Sequence, residues 1–228
     1  MTTVRQILLS RSSFSEWYFR RRHSVLFLSL LLTLILAPVT QEYQLPSGPL
    51  ELLYLMNLAA AAVGLDSSRE RRWAVAIVTL TAASRVMGRL LNLEAVSELA
   101  ATLFVGLAIL AACASLRFAL SAERVNREQV AAALSTYLLA GHVFGVCYWQ
   151  VEQLRAGSFA VSGVPVAAGT LDLPTCVYFS FVTLATLGYG DIVPLTPTTR
   201  GLAVSEAIIG QLYLAVLVAR LIGARVTK

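Results

Sequence analysis

The residues with the most to say about chemistry lie together at positions 183–191, which read Thr-Leu-Ala-Thr-Leu-Gly-Tyr-Gly-Asp. Gly188 and Gly190 flank Tyr189, and Asp191 follows. Glycine adopts positive φ without steric cost. An ordinary strand alternates its successive peptides, whereas glycines at alternate positions can break that alternation and turn a column of carbonyl oxygens toward one axis. Such a column can replace the water of a bare cation. The plain alternative for Gly-Tyr-Gly-Asp is a turn or a flexible loop. At ordinary glycine usage of about 7% the tetrapeptide arises by chance in roughly one chain in several hundred. Thr183 and Thr186 ahead of it, and the apolar segments on both sides, make chance rarer still.

This segment resembles the pore signature of the potassium channel family, Thr-x-x-Thr-x-Gly-Tyr-Gly-Asp, and the resemblance continues without a gap from Thr183 to Gly210. It implies that K+ binds at the carbonyls of Thr186, Leu187, Gly188 and Tyr189, with the Thr186 hydroxyl as the innermost ring and Gly190 completing the filter. The Tyr189 side chain is expected to point away from the ions and brace the filter against a pore helix. Asp191 is expected at the outer mouth, where a carboxylate raises the local cation concentration. Tyr178 and Phe179 fall where related channels often carry tryptophans, and are either filter supports or plain packing aromatics. Pro194 and Arg200 fall where simple two-span channels have a proline and an arginine. Gly210 marks either a bend in the inner helix or a close helix contact. Counting helically, Gln211, Leu214, Val218 and Ile222 share a face. By the resemblance that face lines the inner cavity, and 218–222 forms the cytoplasmic constriction. One chain supplies a quarter of each carbonyl ring, so the expected assembly is a homotetramer with K+ as permeant ion and no cofactor.

Outside this stretch the polar residues are few. Glu206 lies well inside an apolar run, where an ionisable group is costly and suggests function. It is read as an anchor for the pore helix through a hydroxyl such as Ser180, or as a group that tunes gating by protonation. His142 is read as a core or interface histidine, and Gly141 with Gly145 as a small-xxx-small pair for close packing. Cys113, Cys147 and Cys176 are odd in number and widely spaced, so neither a disulfide framework nor a zinc site follows. No triad or metal constellation appears, and an enzyme is not expected.

The elements that must position these residues follow from composition. Hydrophobic residues make up 57% of the 228 and charged residues 14%, against about 25% charged in soluble domains. Mean hydropathy is +0.71. An all-α membrane protein is expected. A spanning helix needs about 20 mostly apolar residues, and six candidates occur, at 24–40, 50–65, 73–91, 95–116, 130–149 and 199–223. The shorter stretch 173–184 is expected to be a re-entrant pore helix, capped by Asp172 with Pro174 in its first turn. Its C-terminal dipole end would aim at the filter and favour a cation. The arginines before 24–40, between 50–65 and 73–91, between 95–116 and 130–149, and after 199–223 fall on one side of that topology. This bias puts both termini in the cytoplasm. The start resembles a signal peptide in charge, but Ala37-Pro38-Val39 is a poor cleavage site, so the first helix is expected to remain. Trp17 and Tyr18 read as interfacial anchors, within a stretch 14–22 that could equally be a plain tail.

Six spans with one pore loop near the end resemble the voltage-gated-like architecture of prokaryotic type. Voltage sensors carry arginines every third position of the fourth helix, yet 99–116 holds no charged residue. Steep voltage gating is therefore not expected. Arg85 and Arg89 read as partners of Glu94 and Glu98 across a short outer turn, with a ligand site as the alternative. The chain divides into a cytoplasmic segment 1–23, a four-helix transmembrane domain 24–120, an interfacial linker 121–129 and a pore domain 130–228. No cytoplasmic regulatory domain is expected in this chain, nor any nucleic-acid partner. Membrane lipids are the other expected partner, and the cell (inner) membrane is the expected location. A weakly selective cation channel, a non-conducting accessory subunit and a secondary transporter are the competing readings. The intact Gly-Tyr-Gly disfavours the first, and the lack of repeats and broken helices disfavours the last.

Overall fold

The structure is a computed structural model that describes residues 2–43, 48–63, 68–91, 94–121, 126–167 and 170–226. It is mostly helical. Its elements are α1 (Thr2–Glu42), α2 (Gly48–Val63), α3 (Ser68–Leu91), α4 (Glu94–Ser121), α5 (Arg127–Leu154), β1 (Phe159–Val161), β2 (Val164–Pro165), α6 (Leu173–Leu184), β3 (Ile192–Pro194) and α7 (Pro197–Val226). Among the described residues, three stretches are long and apolar enough to cross a membrane: Arg20–Thr40, Arg127–Leu154 and Pro197–Arg220. The helices expected over 50–65, 73–91 and 95–116 are present, with shorter apolar stretches at Leu52–Ala61 and Val105–Leu120 among the described residues.

α1 begins far ahead of the expected residue 24, and its backbone departs from helical geometry at Arg21 (φ −119°, ψ 17°). Just past that break the chain meets α5. Glu128, in the first turn of α5, accepts the His23 and Ser24 N–H groups at 3.2 and 3.3 Å and the Ser24 hydroxyl. A carboxylate at a restarting helix end is also favoured by the helix dipole. α5 itself starts with a capping box: Asn126 accepts the Gln129 N–H, and the Gln129 side chain accepts the Asn126 N–H. The separate interfacial helix expected over 121–129 therefore has its two ends in α4 and α5, with 122–125 outside the described residues. The side chains of Arg85, Arg89, Glu94 and Glu98 also lie outside them.

α5 is the hub. Leu138 and Leu139 pack with Leu26 and Leu30 of α1, Ala61 of α2 and Ala111 of α4. Val146 packs with Ala74 of α3 and Leu107 and Ala108 of α4. On another side Tyr148 joins Phe159, Cys176, Phe179 and Ile192, tying α5 to β1, α6 and β3. α1 and α4 thus pack directly on the α5 of their own chain, and α2 and α3 pack on α1 and α4.

An antiparallel three-stranded sheet of order β2-β1-β3 was not expected from an all-α reading. Ser162 and Gly163 both take positive φ (51° and 82°) between β1 and β2, as a two-residue hairpin turn of the primed type requires. β1 then pairs with β3, with Phe159 opposite Pro194, Ala160 opposite Val193 and Val161 opposite Ile192.

Candidate functional site

α6 spans Leu173–Leu184, and its start follows local rules. Asp172 accepts the Thr175 N–H at 3.0 Å, and Pro174 occupies the first turn, where its missing N–H costs nothing. Two glycines of α5 set how closely α6 approaches. A Cβ at Gly145 would lie 2.7 Å from Val177 Cα, and one at Gly141 would lie 2.6 Å from the Phe181 ring. The small-xxx-small pair therefore faces α6.

At its other end α6 stops in a Schellman arrangement. The Leu187 N–H donates to Val182 O at 2.8 Å and the Thr186 N–H to Thr183 O at 2.9 Å. The left-handed position of this motif is normally glycine; here it is Thr186, with φ 56°. A β-branched residue there is strained by roughly 1–2 kcal/mol, and strain of this kind concentrates at functional sites. Gly188 and Gly190 follow with φ 63° and 79°, while Leu187 and Tyr189 between them do not take positive φ. Alternate residues of 186–190 are thus left-handed. The whole run 185–191 is exposed in the single chain, with Leu187 at 56% and Tyr189 at 67%.

The outer end of this run is fastened from two sides. Asp191 Oδ2 accepts the Tyr178 hydroxyl at 2.8 Å, and Asp191 O accepts the Ser162 N–H at 2.8 Å. Beyond it, β3 runs along β1, and Ser158 O accepts the Leu195 N–H (2.8 Å) and the Thr199 hydroxyl (3.2 Å). Ser158 is fixed in turn by Glu152, a fully buried carboxylate that accepts the Gly157 and Ser158 N–H groups at 2.8 and 2.9 Å. Phe179 is buried against Tyr148 and Phe159, with ring centroids 5.0 and 5.3 Å away in edge-to-face pairs. Of the two aromatics singled out in α6, Tyr178 bonds Asp191 and Phe179 fills the space behind it. Neither the sheet nor Glu152 was anticipated. The available signal was Ser-Gly between Phe-Ala-Val and Val-Pro-Val, a hairpin pattern inside what reads as a loop.

Behind α6, Glu206 of α7 is fully buried. Its Oε2 accepts the Tyr148 hydroxyl at 2.7 Å, and its Oε1 lies 2.5 Å from Ser180 Oγ. Ser180 Oγ also lies 2.7 Å from Gly141 O. Four residues from Glu206 along α7, Gly210 abuts α6: a Cβ there would sit 2.7 Å from Leu184 O and 2.8 Å from Leu184 Cδ1. The Tyr137 hydroxyl holds the same carbonyl at 3.2 Å. Along α7, Gln211 and Val218 are exposed and Leu214 is half-buried, while the side chain of Ile222 lies outside the described residues. His142 places Nδ1 2.8 Å from Leu138 O, and its Nε2 has no hydrogen bond among the described residues.

The back part of the chain is similar to known proteins. The sequence pattern of a family described as "Ion channel" matches residues 132–226. The inward rectifier potassium channel Kirbac3.1 of Paramagnetospirillum magnetotacticum is 34% identical over 96 residues, which are 40% of this chain and 28% of that protein. The two pore potassium channel c of Oryza sativa subsp. japonica is 36% identical over 74 residues, 32% of this chain and 15% of that protein. The chain thus spans well under a third of the length of these relatives. No solved structure matches it significantly. The family match falls on α5, α6, the 185–191 run and α7.

Proposed function

We propose that this chain is a subunit of a potassium-selective channel in which 186–190 is the selectivity filter. The observation that carries the reading is the alternation of positive φ at Thr186, Gly188 and Gly190 immediately after the short apolar helix α6. A backbone of alternating handedness turns successive peptide groups to the same side, so that their carbonyl oxygens can form a column around a cation. K+ would sit at the carbonyls of Thr186, Leu187, Gly188 and Tyr189, with Asp191 at the mouth.

A second consideration favours a homotetramer. Irregular backbone at membrane depth is tolerated only where protein buries it or where it lines an aqueous cavity. Lipid cannot satisfy the exposed run 185–191, but copies of the same segment around an axis can, sharing ions between their carbonyls. The exposed Tyr189 would then be covered by a neighbour. In this reading the chain is multi-pass in the cell membrane with both termini cytoplasmic, α1–α4 forming a front domain and α5–α7 the pore. α7 would line the inner cavity through Gln211, Leu214, Val218 and Ile222. Because 99–116 carries no charge, conduction would depend only weakly on voltage.

The test is potassium-driven flux into liposomes holding the purified protein, beside Gly190→Ala, with sodium as competitor and voltage stepped. Wild type should pass potassium over sodium with shallow voltage dependence, and the variant should lose the preference, because alanine disfavours the left-handed φ of position 190. Equal passage of both ions by wild type would refute the filter, and a steep sigmoidal voltage response would refute the account of α4.

A further inference from the structure

The contacts around Glu206 allow a count of protons. Three polar pairs stand at hydrogen-bond distance: Tyr148 Oη–Glu206 Oε2 at 2.7 Å, Ser180 Oγ–Glu206 Oε1 at 2.5 Å and Ser180 Oγ–Gly141 O at 2.7 Å. A tyrosine hydroxyl has one proton, a serine hydroxyl has one, and a backbone carbonyl has none. An ionised carboxylate also has none, so an ionised Glu206 would leave three contacts with two protons. Ser180 would have to give its proton to Glu206, and its oxygen would then face the Gly141 carbonyl oxygen at 2.7 Å with no hydrogen between them. Among the described residues no ion pair reaches Glu206. A buried unpaired carboxylate in a membrane helix is the costly alternative.

We infer that Glu206 stands as a neutral carboxylic acid that donates its own proton to Ser180, which donates to Gly141 O, while Tyr148 donates to the acid's carbonyl oxygen. Every proton and acceptor is then used. The relay runs from α7 through α6 to α5, and the Tyr148 bond returns to α5 one helical stretch further along. Glu206 is thereby a positioning residue: it holds the pore helix between the two helices that flank it, at the level where Gly141 and Gly145 already bring α5 against α6. The Ser180 hydroxyl would act as a pointer. With Glu206 protonated it points to α5; with Glu206 ionised it must turn to α7 and release the Gly141 carbonyl. The inference deepens the pore reading and rests on it for placing α7 in the membrane, but its test does not require conduction.

The test is infrared difference spectroscopy of the purified full-length protein in detergent at neutral pH, with thermal unfolding of each variant. Wild type should show the carbonyl band of a protonated carboxylic acid, shifted in D2O, and Glu206→Gln should lose that band. Because an amide supplies the same donor and acceptor as the neutral acid, E206Q should unfold where wild type does, whereas Glu206→Ala should unfold earlier. If E206A does not fold, Tyr148→Phe serves: removing the donor to the acid's carbonyl should move the band to higher frequency. No such band in wild type, a band that survives E206Q, an E206Q as damaging as E206A, or a band unmoved by Y148F would each overturn the relay. A wild type with the band but without potassium preference in flux would overturn the filter reading and leave the relay standing.

Discussion

Gly210 separates two accounts of α7, and replacing it with alanine decides between them. If the glycine is a bend, its lack of a side chain serves flexibility alone, and alanine should stabilise the helix by about 1 kcal/mol. The structure supplies an opposing cost. A Cβ at 210 would meet Leu184 O at 2.7 Å, Leu184 Cδ1 at 2.8 Å and Leu184 Cγ at 3.3 Å. The side chain can turn aside, but the carbonyl is backbone at the last residue of α6 and is also held by the Tyr137 hydroxyl. Overpacking against a fixed group costs about 1–3 kcal/mol. Gly201 in the same helix is the internal reference, because a Cβ there meets nothing within 4 Å. G201A should therefore gain the helix term without the clash, and G210A should be less stable than G201A by about 1–3 kcal/mol. For a chain of this size that is on the order of 2–12 °C in unfolding temperature. The assay is thermal unfolding of both variants in one detergent, followed by potassium flux. A G210A protein as stable as G201A would refute the contact account, and reduced flux without lost stability would restore the bend.

Two further substitutions probe the outer end of the 185–191 run. Glu152→Ala leaves the Gly157 and Ser158 amides buried without their acceptors and should destabilise by about 2–4 kcal/mol. Hydrogen exchange should report it as faster exchange at Gly157, Ser158 and Ser162, and an unchanged pattern would refute the clasp. Tyr178→Phe removes only the hydroxyl bonded to Asp191, at a partly exposed site, so stability should fall by no more than about 1 kcal/mol while potassium-over-sodium preference in liposome flux declines. Unaltered preference would make Tyr178 a packing residue.

What the sequence made legible is what local rules determine. The bounds of α6 follow from an apolar run between a capping Asp172 with Pro174 and the first residue that turns left-handed. The contact between Ser180 and Glu206 was readable because a carboxyl deep in an apolar helix has few places to go, and a hydroxyl on the neighbouring helix is one. The small pair Gly141 and Gly145 announced a close approach, though not that the approaching helix is α6. In each case the physical constraint acts within about two helical turns, or singles out one costly residue.

The clasp at Glu152 shows why the remainder was hidden. Its partners are only five and six residues away, yet nothing in the spacing says that a carboxylate closing α5 should turn inward and accept two amides of the next loop. That geometry becomes favourable only once β1 is paired with β3, and β3 lies beyond α6 and the whole 185–191 run. At the edge of this short ladder the Asp191 carbonyl accepts the Ser162 amide. Likewise the break in α1 at Arg21 is answered by Glu128, more than a hundred residues on. Both carboxylates accept amides where a helix ends or departs from regular geometry, Glu152 from the loop just past α5 and Glu128 from α1 across the packing of α1 on α5. For Glu128 the local sequence places the acid in the first turn of α5, and only the packing of α1 on α5 brings the two amides to it.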